Sequence, residues 1–199
     1  MDKFSTFPSK SYLEAAAKRT PEFMTPNELP YALINEGYLD DALCDAIIQD
    51  AMKEEPYEFE HCNAVTRELY PTPRSVVPVE NLGFVLNELY WQYTLRGETA
   101  GWVQTYTEGG SYQLHMDGAP GQDRKMTAVV LLTDPSEYVG GDLEFVVHPH
   151  SVKAPRTRGT IIVFPHWLLH RVTPITGGRR QSLNLGFFGS AARYILKPE

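Results

Sequence analysis

The sequence predicts a mainly β domain with flanking helices (α+β), built as a double-stranded β-helix, that is, a jelly-roll or cupin-like barrel. Seven short strand-like segments fill the second half of the chain, separated by turn signals such as Gly140-Gly141 and Gly177-Gly178. Two helix-like segments come before them. Helices packed on one outer face of a closed β structure account for this order of elements.

The two helical segments lie in the first half of the chain. From Leu39 to Ala51, apolar residues recur every three or four positions, and Asp40 lies at the positive N-terminal end. A second helix is predicted over about Glu80–Leu95. Residues 56–80 between them are rich in proline and aromatic residues, so this segment is expected to be irregular.

The strands and domain limits follow from alternation and turn signals. The predicted strands are Trp102–Thr107, Tyr112–Met116, Lys125–Leu132, Asp142–Val147, Thr160–Phe164, His170–Ile175 and Arg180–Phe188. Residues 1–30 are expected to form a polar N-terminal arm. Residues 31–199 are expected to form a single domain whose barrel core covers about 101–189.

Composition narrows the function classes. The chain has 199 residues, 42% of them hydrophobic, and a net charge of −7. No basic face is evident, which disfavours a nucleic-acid partner, and no apolar run reaches the roughly 20 residues of a membrane helix. The N-terminus lacks a signal-peptide pattern, and Cys44 and Cys62 do not form a disulfide framework. A cytoplasmic location without membrane contact is therefore expected.

A metal-ligand pattern stands at the end of one predicted strand. His115 and Asp117 are two positions apart, so in an extended strand both side chains point to one face. His170 supplies a second imidazole if the chain folds back. Two histidines and one carboxylate are the ligand set of non-haem Fe(II) oxygenases. An isolated H-x-D is more often a surface histidine and a turn-starting aspartate, so the surrounding residues decide.

A second pattern indicates a receptor for an anion. Arg180 and Ser182 are also two apart on a predicted strand and therefore face the same way. A guanidinium fork beside a hydroxyl suits a carboxylate. Because a buried Arg180 without an anion would be very unfavourable, we expect either a structural acidic side chain or a bound acid beside it.

Three spaced motifs carry a family resemblance. They are Tyr106-x-x-Gly109-x-x-Tyr112-x-x-His115-x-Asp117, then Gly140-Gly-Asp-Leu-Glu-Phe145, then Phe164-Pro-x4-His170-x-Val-x-Pro174-x3-Gly178-x-Arg180-x-Ser182. Over about residues 101–189 the chain resembles the 2-oxoglutarate- and Fe(II)-dependent dioxygenases, and within them the prolyl 4-hydroxylase-like branch. Many members of that branch carry lysine where this chain has Arg180, and either cation can hold a carboxylate.

The resemblance implies a cofactor set and a site. Fe(II) and 2-oxoglutarate are expected, with O2 as cosubstrate and ascorbate as a candidate reductant. The implied iron ligands are His115, Asp117 and His170; the implied 2-oxoglutarate contacts are Arg180, Ser182 and a phenol from Tyr106 or Tyr112. The spacing does not decide between the two tyrosines. Thr127 is either an inner-wall hydroxyl near the cosubstrate or an ordinary strand residue.

The resemblance also implies a reaction. The expected function is hydroxylation of an amino-acid side chain, prolyl or similar, in a peptide or protein. The alternative is hydroxylation of a free amino acid or small metabolite. A demethylase of nucleic acid is disfavoured, because such relatives tend to carry a second arginine where this chain has Gly186. Two further readings are a cupin with another metal and a non-catalytic metal-binding barrel, although the latter is expected to have lost a ligand.

Overall fold

A computed structural model describes residues 31–59, 62–118 and 123–190. The predicted arm, residues 1–30, lies outside the described residues. Among those described, no helix is both long and apolar enough to cross a membrane. The described part is mainly β, with helices packed against one face of a large curled sheet, and this confirms the predicted fold class.

The elements are numbered here in chain order. The strands are β1 (Leu33–Asn35), β2 (Pro56–Phe59), β3 (Cys62–Leu69), β4 (Leu95–Tyr106), β5 (Ser111–His115), β6 (Arg124–Leu131), β7 (Tyr138–Gly140), β8 (Leu143–Val147), β9 (His150–Lys153), β10 (Ile161–Pro165), β11 (His170–Val172), β12 (Ile175–Gly178) and β13 (Arg180–Gly189). The helices are α1 (Asp41–Ala51) and α2 (Val77–Leu86), and α2 continues as a π-helical turn (Asn87–Trp91). A short 3₁₀ turn covers Pro135–Glu137.

The main sheet is antiparallel throughout. Its order is β1-β10-β6-β13-β4-β3-β5-β11-β8-β9, with β2 added on β3, and a separate pair joins β12 to β7. Strand β13 is hydrogen-bonded to β4 on one side and to β6 on the other. The sheet curls so that β5, β11 and β8 come to face the inner side of β6 and β13, and a cavity remains between them.

Alternation along the strands separates two apolar clusters. In β6, Ala128 and Val130 pack in the cluster that contains the buried residues of α1 and α2, whereas Val129 and Leu131 belong to the cluster inside the barrel. In β13, Leu183, Leu185 and Phe187 face the helices in the same way. Because successive side chains of a strand point to opposite faces, the intervening positions of β13 are turned into the barrel.

Helix α1 begins as the sequence predicts. The Asp40 carboxylate accepts a hydrogen bond of 2.8 Å from the backbone N–H of Leu43, which satisfies one free donor of the first turn. Cys44, Ile47 and Ala51 are its buried residues. The face predicted to be apolar is therefore the face that packs on the sheet.

The expectation of an irregular segment over residues 56–80 is wrong. This segment contains β2, β3 and the start of α2. In β3 the buried positions include the small or polar side chains of Cys62, Ala64 and Thr66, while Val65 on the other face is exposed. The alternation is present, but hydropathy does not mark the buried side.

The limits of the second helix also differ from the prediction. Helix α2 starts at Val77, with Pro78 in its first turn, where the missing proline N–H costs no hydrogen bond. The helical segment ends at Trp91 because Gln92 adopts a left-handed φ of 53°. Leu95, predicted as the helix end, is the first residue of β4. Strands β1, β7, β9 and β12 are short, and the sequence did not predict them as separate strands.

Candidate active site

The three predicted ligands converge in space. One possible ligand atom from each of His115, Asp117 and His170 lies within 4.8 Å of the other two. Asp117 Oδ1 lies 3.5 Å from His115 Nε2 and 3.8 Å from His170 Nε2. Two imidazole nitrogens and one carboxylate oxygen therefore surround one point.

Hydrogen bonds fix the ring nitrogens that face this point. His115 Nδ1 lies 2.7 Å from the carbonyl of Gln113, and His170 Nδ1 lies 2.8 Å from the carbonyl of Leu168. A carbonyl only accepts, so each Nδ1 carries the proton and donates it. In the neutral rings, each Nε2 then presents a lone pair toward Asp117, which is the arrangement that metal-ligating histidines require.

Strand pairing brings the two histidines together from distant parts of the chain. His170 in β11 pairs directly with His115 at the end of β5. The ring of Tyr112 stacks on His115 with centroids 3.9 Å apart. Phe164 packs edge-on against His170 at 4.8 Å, and Phe145 lies 5.9 Å from it. Aromatic packing therefore restricts both imidazoles to one orientation.

The Asp117 carboxylate has two different environments. Oδ1 faces the imidazoles, whereas Oδ2 accepts a hydrogen bond from the Thr127 hydroxyl and lies 3.6 Å from a terminal nitrogen of Arg124. Burial alone would raise the pKa of Asp117, but the positive charge of Arg124 and the hydrogen bond from Thr127 lower that pKa well below its usual range. Asp117 is therefore an anion at neutral pH.

His170 is kept neutral. It is almost fully buried, and this burial lowers its pKa to about 4 despite the opposing effect of the Asp117 charge. A neutral imidazole at physiological pH can donate its lone pair to a metal without first losing a proton.

A cavity of about 230 Å³ opens beside these side chains. Its lining includes all three candidate ligands together with Arg180 and Ser182. The candidate metal position and the predicted anion receptor therefore share one cavity.

Arg180 is the largest fully buried polar side chain of the barrel, only 2% exposed. It donates a hydrogen bond of 3.1 Å to the Ser182 hydroxyl, and its guanidinium lies 5.3 Å from the Tyr106 ring centre. None of the described carboxylates forms an ion pair with it, and its Nε finds no hydrogen-bond partner among the described residues. A buried cation without a counter-ion is strongly unfavourable, so the site suits a bound anion.

The remaining predicted contacts occupy different places. Tyr106 is fully buried, and its hydroxyl donates to Gln104 Oε1 at 2.8 Å. Tyr112 lies against His115, and burial raises its pKa to about 12. Both tyrosines line the cavity, and the choice between them as a contact to a bound acid stays a prediction. Thr127 lies inside the barrel, but its hydroxyl is engaged by Asp117, and we propose that it orients this carboxylate.

Sequence reasoning missed Arg124. Regular alternation through β6 would turn Arg124 toward the helices, together with Met126. The pairing shifts at this point, however: Phe187 pairs with Met126, but Phe188 pairs with Arg124. The one extra residue in β6 is a bulge that turns Arg124 into the cavity. No turn signal in the sequence marks the bulge.

Sequence reasoning also missed a polar network inside the barrel. Gln104 Oε1 accepts from the Tyr106 hydroxyl at 2.8 Å and from Asn184 Nδ2 at 2.9 Å, while Gln104 Nε2 contacts Cys62 Sγ at 3.4 Å. Asn184 has the same parity as Arg180 and Ser182, which is the signal that could have found it.

His166, four residues before His170, is not part of the site. It follows Pro165 in a turn, and its Nδ1 lies 2.9 Å from the carbonyl of Lys125. Its side chain is half-buried and does not line the cavity.

Comparison with known proteins agrees with the fold. Residues 101–188 match the family model of the 2OG-Fe(II) oxygenase superfamily. A PKHD-type hydroxylase of Acidovorax ebreus is 40% identical over 84 residues, which cover 38% of this chain and 37% of the relative. The chain thus spans well under half the length of the curated relatives it matches.

Two solved structures show the same architecture. A prolyl-4-hydroxylase of Pseudomonas putida superposes with a TM-score of 0.67 at 18% identity, covering 79% of this chain and 92% of that one. A viral collagen prolyl hydroxylase of Paramecium bursaria Chlorella virus 1, in complex with 2-oxoglutarate, gives 0.66 at 22% identity, covering 80% and 96%. Residues 101–188, which contain most of the barrel, thus match the model of the 2OG-Fe(II) oxygenase superfamily, and the described residues share the fold of these two structures.

Removal of a candidate ligand should strongly weaken metal binding without unfolding the protein. We expect His170→Ala to weaken Co(II) binding by roughly 100-fold or more, because a donor is lost at a site with only three. Calorimetric titration of Co(II) measures the affinity, and circular dichroism checks the fold. His166→Ala is the matched control and should bind Co(II) like the wild type. Equal affinity in His170→Ala would exclude the assigned ligand.

Proposed function

We propose that the chain is an Fe(II)- and 2-oxoglutarate-dependent dioxygenase that hydroxylates an amino-acid side chain, prolyl or similar, in a peptide or protein. One observation carries this proposal. A two-histidine, one-carboxylate donor set and a buried arginine without a counter-ion line the same cavity. A site that needs both a metal and an organic acid is what this reaction class uses.

The described side chains fit both groups. His115 and His170 would hold iron through Nε2, and Asp117 through Oδ1. Arg180, with the Ser182 hydroxyl beside it, would hold the distal carboxylate of 2-oxoglutarate. When bound, the iron and the 2-oxo acid supply the oxidising chemistry, in which 2-oxoglutarate and O2 become succinate and CO2 while the substrate gains a hydroxyl.

The protein orients the metal ligands and lines the cavity with apolar side chains. Thr127 and the two backbone carbonyls fix the ligand orientations described above. Val129, Leu143 and Val172 line the cavity and are buried, so this wall excludes bulk water from the reacting atoms. Ascorbate would serve as a reductant for iron that has been oxidised to Fe(III).

Of the two substrate classes, we favour a peptide or protein. Phe59 lines the cavity from β2, a strand that pairs on one side only among the described strands. It is 39% exposed, and Tyr57 packs edge-on against it at 5.0 Å. Aromatic side chains beside an open strand edge suit an extended peptide. The names of the matched structures, which include prolyl hydroxylases, point the same way.

The first test concerns the cosubstrate. Anaerobic Fe(II) with 2-oxoglutarate should give a weak visible charge-transfer band that needs both components. Arg180→Ala should raise the 2-oxoglutarate concentration that gives half of this band by roughly 100-fold, because a charged hydrogen bond is lost. Arg180→Lys keeps the positive charge, so its 2-oxoglutarate requirement should lie between those of the wild type and Arg180→Ala. A band that forms equally well in Arg180→Ala would place the acid elsewhere.

The second test concerns the substrate. We expect a library of proline-containing peptides to include members that stimulate succinate formation at least tenfold over enzyme alone and that gain 16 mass units, the mass of one oxygen atom. Asp117→Ala should form no succinate with any peptide. Stimulation by free amino acids but by none of the peptides would favour the small-molecule alternative instead.

A further inference from the structure

Arg124 is a charged residue of the cavity to which the proposed function assigns no role. It lines the cavity, and its side chain is only 17% exposed. Its terminal nitrogen lies 3.6 Å from Asp117 Oδ2, the oxygen turned away from the imidazoles. The Thr127 hydroxyl donates to the same oxygen. One oxygen of Asp117 is therefore held by a hydrogen bond from Thr127 and an ion pair with Arg124, and the other faces the imidazoles.

Three features of the barrel place Arg124 there. The bulge in β6 turns its side chain inward. Its guanidinium lies 5.4 Å from the centre of the Trp102 ring, in a cation–π contact. Gly186, on the neighbouring strand β13, leaves the space that it fills, because a Cβ at Gly186 would lie only 3.0 Å from Arg124 Nε.

Metal affinity does not explain this position. A guanidinium beside a metal ligand repels the metal, so Arg124 lowers the affinity of the site. Its Nε is also buried without a hydrogen-bond partner among the described residues, which is unfavourable in itself. The function of Arg124 must therefore lie in something other than strengthening metal binding.

The position of Arg124 does explain how many oxygens Asp117 offers to a metal. A carboxylate can bind a metal through one oxygen or through both, and the second mode fills one more coordination position. An octahedral metal with three protein donors keeps three positions open, two for a chelating 2-oxo acid and one for O2. If Asp117 used both oxygens, one of these positions would be lost.

We propose that Arg124 is a positioning residue that, together with Thr127, holds Asp117 Oδ2 so that Asp117 offers only Oδ1 to the metal. Arg124 thereby lowers the affinity for the metal and keeps one more coordination position open. This inference rests on the proposed function in one respect: it takes His115, Asp117 and His170 as the metal ligands.

If Arg124 has this role, its removal should raise the affinity for metal alone and lower the affinity for 2-oxoglutarate. In Arg124→Gln, the repulsion is gone and Oδ2 is less firmly held, so Co(II) alone should bind roughly three- to tenfold more tightly than to the wild type. The 2-oxoglutarate concentration needed for half of the Fe(II) charge-transfer band should rise roughly tenfold or more. A purely structural role would lower both affinities together.

Two further variants make the test specific. Gly186→Ala keeps the Arg124 charge but crowds the guanidinium, so it should raise the 2-oxoglutarate requirement in the same direction. Arg158→Gln is the matched control, because Arg158 is 20% exposed and pairs with Asp41 and Asp45 at α1, on the helix side of the sheet. It should change neither affinity. Circular dichroism confirms that each variant is folded.

The outcomes separate the two proposals. Unchanged or weaker Co(II) binding in folded Arg124→Gln overturns the positioning role of Arg124. An unchanged 2-oxoglutarate requirement in that variant overturns it as well. If wild-type protein binds Co(II) but forms no band with Fe(II) and 2-oxoglutarate, the proposed function fails, and the Co(II) titration alone decides the inference about Arg124.

Discussion

The candidate site depends on the pairing of β13 with β4 and β6. These ladders run from Arg180↔Tyr106 through Ser182↔Leu131 and on toward the other end of β13. A strand hydrogen-bonded on both sides cannot slip by one residue without turning every side chain to the other face. The register therefore determines that Arg180 and Ser182 point into the barrel.

The opposite face of the same strand provides the stability that the polar interior lacks. Leu183, Leu185 and Phe187 are fully buried against the helices. Burial of such a side chain contributes about 1.5–3 kcal/mol. The inward face can thus carry a guanidinium, a hydroxyl and an amide that are individually unfavourable to bury. Helices α1 and α2 supply no cavity residue among those described, yet the site depends on the apolar face they cover.

The two-residue spacing of polar side chains predicted much of this site from the sequence. His115 and Asp117, and separately Arg180 and Ser182, were placed on common faces by their spacing of two, and the structure brings both pairs to one cavity. The meeting of His170 with His115 is a long-range contact between β11 and β5, and no local pattern specifies it. It was expected only from the order of the motifs and the family resemblance.

Bulges and weak hydropathy account for what the sequence did not reveal. Arg124 enters the cavity through a bulge in β6, and Tyr112 shares a side with His115 because the β5–β11 register also shifts. In both places a bulge breaks the two-residue alternation, so counting positions along the strand does not predict which face of the sheet the side chain is on. Strand β3 was missed for another reason, since its buried side carries small and polar residues.

The central claim is that one metal and one 2-oxo acid share this cavity, on Asp117 and Arg180 respectively. A crystal structure with Mn(II) and 2-oxoglutarate, using the anomalous signal of manganese, tests it most directly. The account predicts a single metal peak about 2 Å from Nε2 of both His115 and His170 and from Oδ1 of Asp117. It also predicts the distal carboxylate of the acid on Arg180. A metal peak away from these atoms, or an acid bound without contact to Arg180, would contradict it.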